Sequence, residues 1–316
     1  MDSRTPVESS SATGDPIGDP TGSSDRALSS TITTPPPVPG FIGAGHTAVE
    51  VLAPTALAAS DPFVLLMDDR LDIPQRRQIG GAHPHAGLET VTLVLEGTLS
   101  DRDEGDLRAG DLVWMTAGRG IIHGESIEAS GRSRILQLWI ALPARDRGLA
   151  PRFEIVRREA APVIRAPGVK ARLYSGASGT LRSATRNRVP VTLLELTLAP
   201  GATFHQTLPA TYNGFFYVVD GDAGVGNERV ATGQVGWLAP SASTELATDL
   251  AIWAGAGGAH LVLYAGEPIG EPLVQHGPFV AGSPVEITEF HRQFRAGRFT
   301  PMSQVARAQR AERTTS

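Results

Sequence analysis

The 316-residue chain contains no cysteine. Disulfides, thiolate metal ligands and cysteine nucleophiles are therefore excluded, and any metal would have to be held by nitrogen and oxygen. That lack suits a reducing compartment. Long apolar runs are missing too: no uninterrupted stretch approaches the roughly 18 residues of a membrane-spanning helix. The N-terminus, MDSRTPVESSSATGDPIGDP, lacks the apolar core of a secretory signal, so a cytoplasmic protein is expected. Excess positive charge is also wanting. With 28 Lys+Arg against 33 Asp+Glu the formal net charge is −5, a poor basis for direct binding to nucleic-acid phosphates. Arg307, Arg310 and Arg313 make the tail locally basic, but Glu312 interrupts them.

Glycine (35) and proline (24) are plentiful, which implies many turns and an all-β protein of short strands. Residues 1–40 are rich in Ser, Thr, Pro, Gly and Asp, and bury too little apolar surface to offset their ordering entropy, so a disordered arm is expected there. From Phe41 onward, apolar runs such as DPFVLLMDD, ETVTLVLEG, SRILQLWIALP and HLVLYAGEP alternate with turn residues, the pattern of a sandwich or barrel. The chain also repeats itself. Gly97, Gly110 and Trp114 recur in register as Gly221, Gly233 and Trp237, each set following an apolar strand. One β unit is thus used twice, with the boundary expected within residues 157–170. SPVEITEFHRQF reads as a short helix capped by Ser283, with Pro284 in its first turn and Glu286 completing a capping box. Ile287, Phe290 and Phe294 then share one face, and His291 points away from it.

Only eight histidines are present, yet His83 and His85 sit one residue apart in GAHPHAGLETVTLVLEG. Side chains alternate along a strand, so both project to one side. His123 and Glu125 in TAGRGIIHGES repeat that spacing. Spacing alone is compatible with solvated turns or His-rich surface strands. It is equally compatible with a centre in which three imidazoles and one carboxylate bind a divalent transition metal with positions left open. Fe(II), Mn, Co, Ni, Cu and Zn all suit such donors.

HPHAGLETVTLVLEG, GDLVWMTAGRGIIHGE, LQLWIALP and AGEPIGEPLVQHGPFV, in that order, resemble the signature segments of the pirin family within the cupin superfamily. The resemblance runs from residue 61 to about residue 297. It implies a bicupin, two tandem cupin barrels with a short C-terminal helix. The expected organisation is a disordered arm at 1–40, an N-terminal barrel with the metal at 41–165, a C-terminal barrel plus helix at 166–297, and a flexible tail at 298–316. The resemblance further implies one metal, usually iron as Fe(II), on His83, His85, His123 and Glu125. Ala86 departs from the pattern, since pirins commonly carry Arg there, and a change of charge at the pocket mouth is expected. The general cupin pattern would instead pick Glu89 as the carboxylate ligand, and Glu89 has the strand parity of His85. The resemblance favours Glu125 and leaves Glu89 to orient an imidazole or take a proton.

In the second repeat the equivalents of the ligand positions are Thr207, Pro209, Leu246 and Thr248, so no metal is expected there. His205, His260 and His276 read as structural or surface residues, and VQHGPFV as a turn against the neighbouring barrel. The resemblance implies a dioxygenase of the quercetin 2,3-dioxygenase type, with a small polyphenol and O₂ as substrates. Glu125 or Glu89 would serve as base, and Leu93, Trp114 and Met115 as walls. It also implies an alternative, a redox-sensitive regulator of a transcriptional or metabolic protein partner.

Overall fold

The computed structural model describes residues 25–54, 56–101, 103, 105–124, 127–241 and 246–314. Each repeat forms a nine-stranded antiparallel sheet that closes into a barrel. The first sheet runs from Arg152–Val156 through Leu112–Thr116, Leu88–Glu96, Ile127–Ala141, Phe63–Gln78 and His46–Leu52 to Val38–Pro39. The second runs from Leu28–Thr33 through Gln234–Leu238, Asn213–Val225, Ala247–Gly266, Val191–Leu198 and Val169–Ser175 to Val163–Ala166. The repeated glycines sit at the hairpin corners, where Gly97 and Gly221 take φ values of 77° and 75° that other residues seldom adopt.

Strand alternation divides the apolar side chains between two cores. Leu88, Val94, Val113 and Met115 belong to a cluster inside the first barrel. Their neighbours Val91, Leu93 and Trp114 belong to another, shared with Phe215, Tyr217 and Tyr264 of the second barrel, which fills the seam between the two. A polar contact crosses the same seam. The buried Asp68 carboxylate accepts two hydrogen bonds from Arg134 (2.9 and 2.8 Å), one from Arg70 (3.0 Å) and one from the Tyr217 hydroxyl (3.0 Å). Burial alone would raise the Asp68 pKa, but the Arg134 and Arg70 contacts outweigh it and hold the group below its ordinary value.

Three expectations about the chain ends need correction. Within the segment read as a disordered arm, Leu28–Thr33 pairs antiparallel with Gln234–Leu238 of the second barrel, and Val38–Pro39 pairs with His46–Leu52 of the first. Residues 1–24 lie outside the described residues. The segment read as a flexible tail contains a helix, Met302–Thr314, whose Met302, Val305 and Ala306 are buried with the first barrel's core. The stretch after Gly266, assigned to the second barrel, returns to the first: the hairpin of Val274–His276 and Phe279–Ala281 docks on Ala86, and Thr300–Pro301 pairs with Ile121–His123. The helix Pro284–Arg295 forms where the sequence placed it. The Glu286 carboxylate accepts from the Gly282 N–H (3.0 Å) and not from Ser283, and His291, expected to point away, packs edge-on against Phe279 at 4.8 Å. Ser283 accepts from the Glu286 N–H, while Ile287 and Phe290 are buried. Phe294 on the same face is 37% exposed.

The N-terminal segment is held by Arg26, which is 2% exposed. Its guanidinium donates to the Thr248 hydroxyl (2.9 Å) and to the carbonyls of Tyr212 (3.1 Å), Ala239 (3.2 Å), Pro209 (2.9 Å) and Ala210 (3.0 Å). The guanidinium thus reaches the end of Thr203–Pro209, where that strand pairs with Ala247–Gly266 of the second barrel. Arg26→Ala would strand several buried carbonyls and is expected to cost about 2–4 kcal/mol. Chemical denaturation followed by tryptophan fluorescence would register the loss, and Arg26→Lys, with three donors in place of five, should recover only part of it.

Candidate metal centre

His83–His85 and Ile121–His123 pair antiparallel, with His83 opposite His123 and His85 opposite Ile121. Thr300–Pro301 pairs with the second strand from its other side, making a three-stranded sheet. This register puts three imidazoles face to face. Their ring centroids are 5.1 Å (His83–His85), 4.4 Å (His83–His123) and 5.1 Å (His85–His123) apart. One ligand nitrogen from each lies within 4.8 Å of the others, close enough for a single ion to engage all three after small side-chain rotations. Among the described residues, no other set of three His, Asp or Glu offers donor atoms so close together. Glu125, the fourth expected ligand, lies outside the described residues.

The donors are prepared for a cation. His83 Nδ1 donates to the Gly81 carbonyl at 2.8 Å, because a carbonyl can only accept, and this leaves Nε2 as the lone-pair nitrogen. His85 is 4% exposed, packs edge-on against Trp139 at 5.0 Å, and has a buried Nδ1 with no hydrogen-bond partner. Burial and then the neighbouring His123 push the His83 pKa down from 6.5 to about 4. Burial followed by both neighbouring imidazoles pushes His85 well below its ordinary value. Neutral imidazoles with an orphaned buried nitrogen are what a transition metal requires, so the residues fit the group.

Glycine permits the close packing. Gly87 has φ 76°, and a Cβ there would fall 1.8 Å from the Val280 carbonyl oxygen of the C-terminal hairpin. Gly124, with φ 83°, would place a Cβ 2.9 Å from the His83 ring.

The turn at Gly87 also decides the fate of Glu89. It interrupts the strand between His85 and Leu88–Glu96, so the parity inferred from sequence does not carry across. Glu89 is wholly buried on the seam side, where its carboxylate accepts from the Thr116 hydroxyl (2.6 Å) and the Arg188 backbone N–H (3.1 Å). No histidine nitrogen is among its partners, and burial raises its pKa. The roles of ligand and of orienting carboxylate suggested for it are withdrawn. The wall residues divide similarly: Met115 faces the first barrel's interior, while Leu93 and Trp114 fill the seam. Ala86 is fully buried beneath the C-terminal hairpin, not at a pocket mouth, and its backbone bonds Val280 (3.1 Å).

Elsewhere, His205 bonds Asp249 (2.6 Å), His260 bonds Glu195 (3.0 Å) and His276 bonds His291 (3.0 Å). The environment of the triad includes groups that sequence reading did not single out. Trp139 packs on His85, the Pro278 carbonyl meets the same ring, and Phe41 packs edge-on against His83 at 5.9 Å. Each contact joins distant parts of the chain, and no local pattern announces it.

A pH prediction follows for the metal-free protein. Between pH 6.5 and about 4 the unfolded chain binds protons at His83 that the folded chain refuses, so stability falls as pH drops through that window. Melting temperatures of wild type and His83→Gln/His85→Gln across the window should show the shallower slope in the variant.

Two family models match the chain: pirin over residues 47–140 and the pirin C-terminal cupin domain over residues 193–300. A pirin-like protein of Solanum lycopersicum is 35% identical over 243 residues, covering 75% of this chain and 81% of that protein. Pirin of Homo sapiens is 32% identical over 246 residues, covering 74% and 81%. Among solved structures, GK1651 from Geobacillus kaustophilus shares 34% identity at TM-score 0.68, covering 78% of this chain and 98% of its own. A quercetin 2,3-dioxygenase from Acinetobacter baumannii shares the fold at TM-score 0.76 and 24% identity, covering 87% and 98%. YhhW from Escherichia coli, in complex with nickel(II), shares it at TM-score 0.53 and 21% identity, covering 72% and 93%. With both barrels matched in order and about a third of the aligned residues identical to curated pirins over three quarters of its length, the chain belongs to the pirin family of bicupins.

Proposed function

We propose that this protein is a metal-dependent dioxygenase of the first barrel, acting on a flavonol or related polyphenol with O₂. The observation that carries the metal is the convergence of three imidazoles, two of them held neutral by burial and one of these with an orphaned buried nitrogen. The substrate class draws support from the structural likeness to a quercetin 2,3-dioxygenase. In this reading His83, His85 and His123 hold one divalent ion, with iron as the first choice and Glu125 as fourth ligand. The bound ion supplies Lewis acidity and open positions that bring an enolate-like oxygen and O₂ together. The chain's part is to keep the imidazoles neutral and oriented through the Gly81 carbonyl and the packing of Trp139. It also provides a carboxylate, Glu125, as acceptor for the hydroxyl proton of the substrate.

The test is direct. Purified protein loaded separately with Fe(II), Mn, Co, Ni or Cu is given quercetin under O₂, with metal content measured alongside. At least one form should consume flavonol, and His123→Ala should lose both metal and turnover. If every form holds its metal and none consumes flavonol, this enzymatic reading fails. A metal-dependent regulator would then be the remaining reading, to be tested by partner capture with and without metal.

A further inference from the structure

The geometry points to Phe41 as a substrate-contacting residue, an aromatic platform on the outer rim of the metal centre for the flat ring system of a polyphenol. The inference rests on the dioxygenase reading above and names a residue that selects for aromatic substrates. Phe41 is 76% exposed, the most exposed aromatic side chain among the described residues. Single apolar residues on a surface need no explanation in general. This one is distinguished by where it stands and how it is mounted.

Its ring meets His83 edge-on, with centroids 5.9 Å apart and planes at 73°. The other flank meets His46 at 5.8 Å. The remaining ring surface faces solvent beside a histidine of the triad, so a flat molecule held at the triad comes within stacking reach. The turn beneath it is tied by hydrogen bonds. His46 is 3% exposed, and its Nε2 donates to Asp69 at 2.7 Å, which leaves Nδ1 to accept the Ile42 backbone N–H at 3.2 Å. Backbone bonds from Gly43 to Gly40 (3.3 Å) and from His46 to Gly43 (3.0 Å) close the turn. A Cβ on Gly40 would fall 2.1 Å from the His46 ring, so the turn is packed tightly around that imidazole. A hydrophobic ring mounted on a hydrogen-bonded, tightly packed turn, yet left in water, is positioned to bind a flat partner.

An aromatic partner fits this surface better than an aliphatic one, because offset stacking adds to simple area burial. Phe41 also precedes the pirin-matched segment, which begins at residue 47, and so stands outside the part of the barrel that the family model describes.

The experiment compares wild type, Phe41→Ala and Phe41→Trp, each loaded with Ni(II) and kept free of O₂. Quercetin and azide are titrated separately, and metal content is measured. Azide engages the ion without an aromatic ring. Phe41→Ala should weaken quercetin binding about 10-fold while Phe41→Trp retains it. Azide affinity and metal stoichiometry should stay at wild-type values in both variants. With the active metal under O₂, the loss should appear in KM and not in kcat. Equal quercetin affinity in Phe41→Ala and wild type overturns the platform and leaves the dioxygenase reading intact. Parallel loss of azide affinity or metal also overturns it, since Phe41 would then only prop His83. A metal-loaded wild type that takes no quercetin sinks both readings together.

Discussion

Everything about the histidine triad depends on one strand register, the antiparallel pairing that sets His83 opposite His123 and His85 opposite Ile121. Side chains alternate along strands, so a slip of one residue would turn one member of the triad away from the others. The register is secured from outside this strand pair. Thr300–Pro301 pairs along the far side of Ile121–His123, and the Phe279 hairpin locks against Ala86. The backbone approaches so closely there that Gly87 admits no side chain. Burial then does the electrostatic work, because imidazoles crowded together in a dry site cannot all be cations.

The two chain ends serve opposite barrels. The N-terminal segment lays a strand on the second barrel and drives Arg26 among its strand ends, while the C-terminal segment packs on the first. Between the barrels lies a seam of apolar side chains crossed by the Asp68, Arg134 and Tyr217 cluster. Tyr217 is pushed up to about 12 by burial and by the Asp68 charge, so it remains a neutral donor to that carboxylate. Glu89 belongs to this seam and not to the histidine triad. The first barrel gathers histidines, while the second holds a guanidinium borrowed from the N-terminal segment.

Much of this is legible in the sequence. Turn-rich, short-strand composition indicated an all-β chain, and the recurrence of Gly97, Gly110 and Trp114 as Gly221, Gly233 and Trp237 indicated a duplicated unit. The cap on Pro284–Arg295 followed from Ser283 and Pro284. The histidine pairs were visible because spacing of two is a local property of strands. Glu89 misled because parity persists only while a strand is unbroken, and the left-handed residue Gly87 breaks it. The order of residues 25–39 escaped notice because its stabilisation comes from distant groups. Composition predicts the apolar surface a segment can bury by itself, not the hydrogen bonds that Thr248, Pro209 and Tyr212 hold ready for it.

By itself, then, the sequence determined the secondary-structure class, the duplication and the identity of the histidines, since these depend on residue type and on neighbours a few positions away. Tertiary structure alone decided that the triad closes, that Glu89 faces the seam, and that Phe41 stands over His83. Those outcomes turn on register and on contacts between segments tens to hundreds of residues apart, where small shifts in backbone path choose the partner and no local pattern encodes the choice.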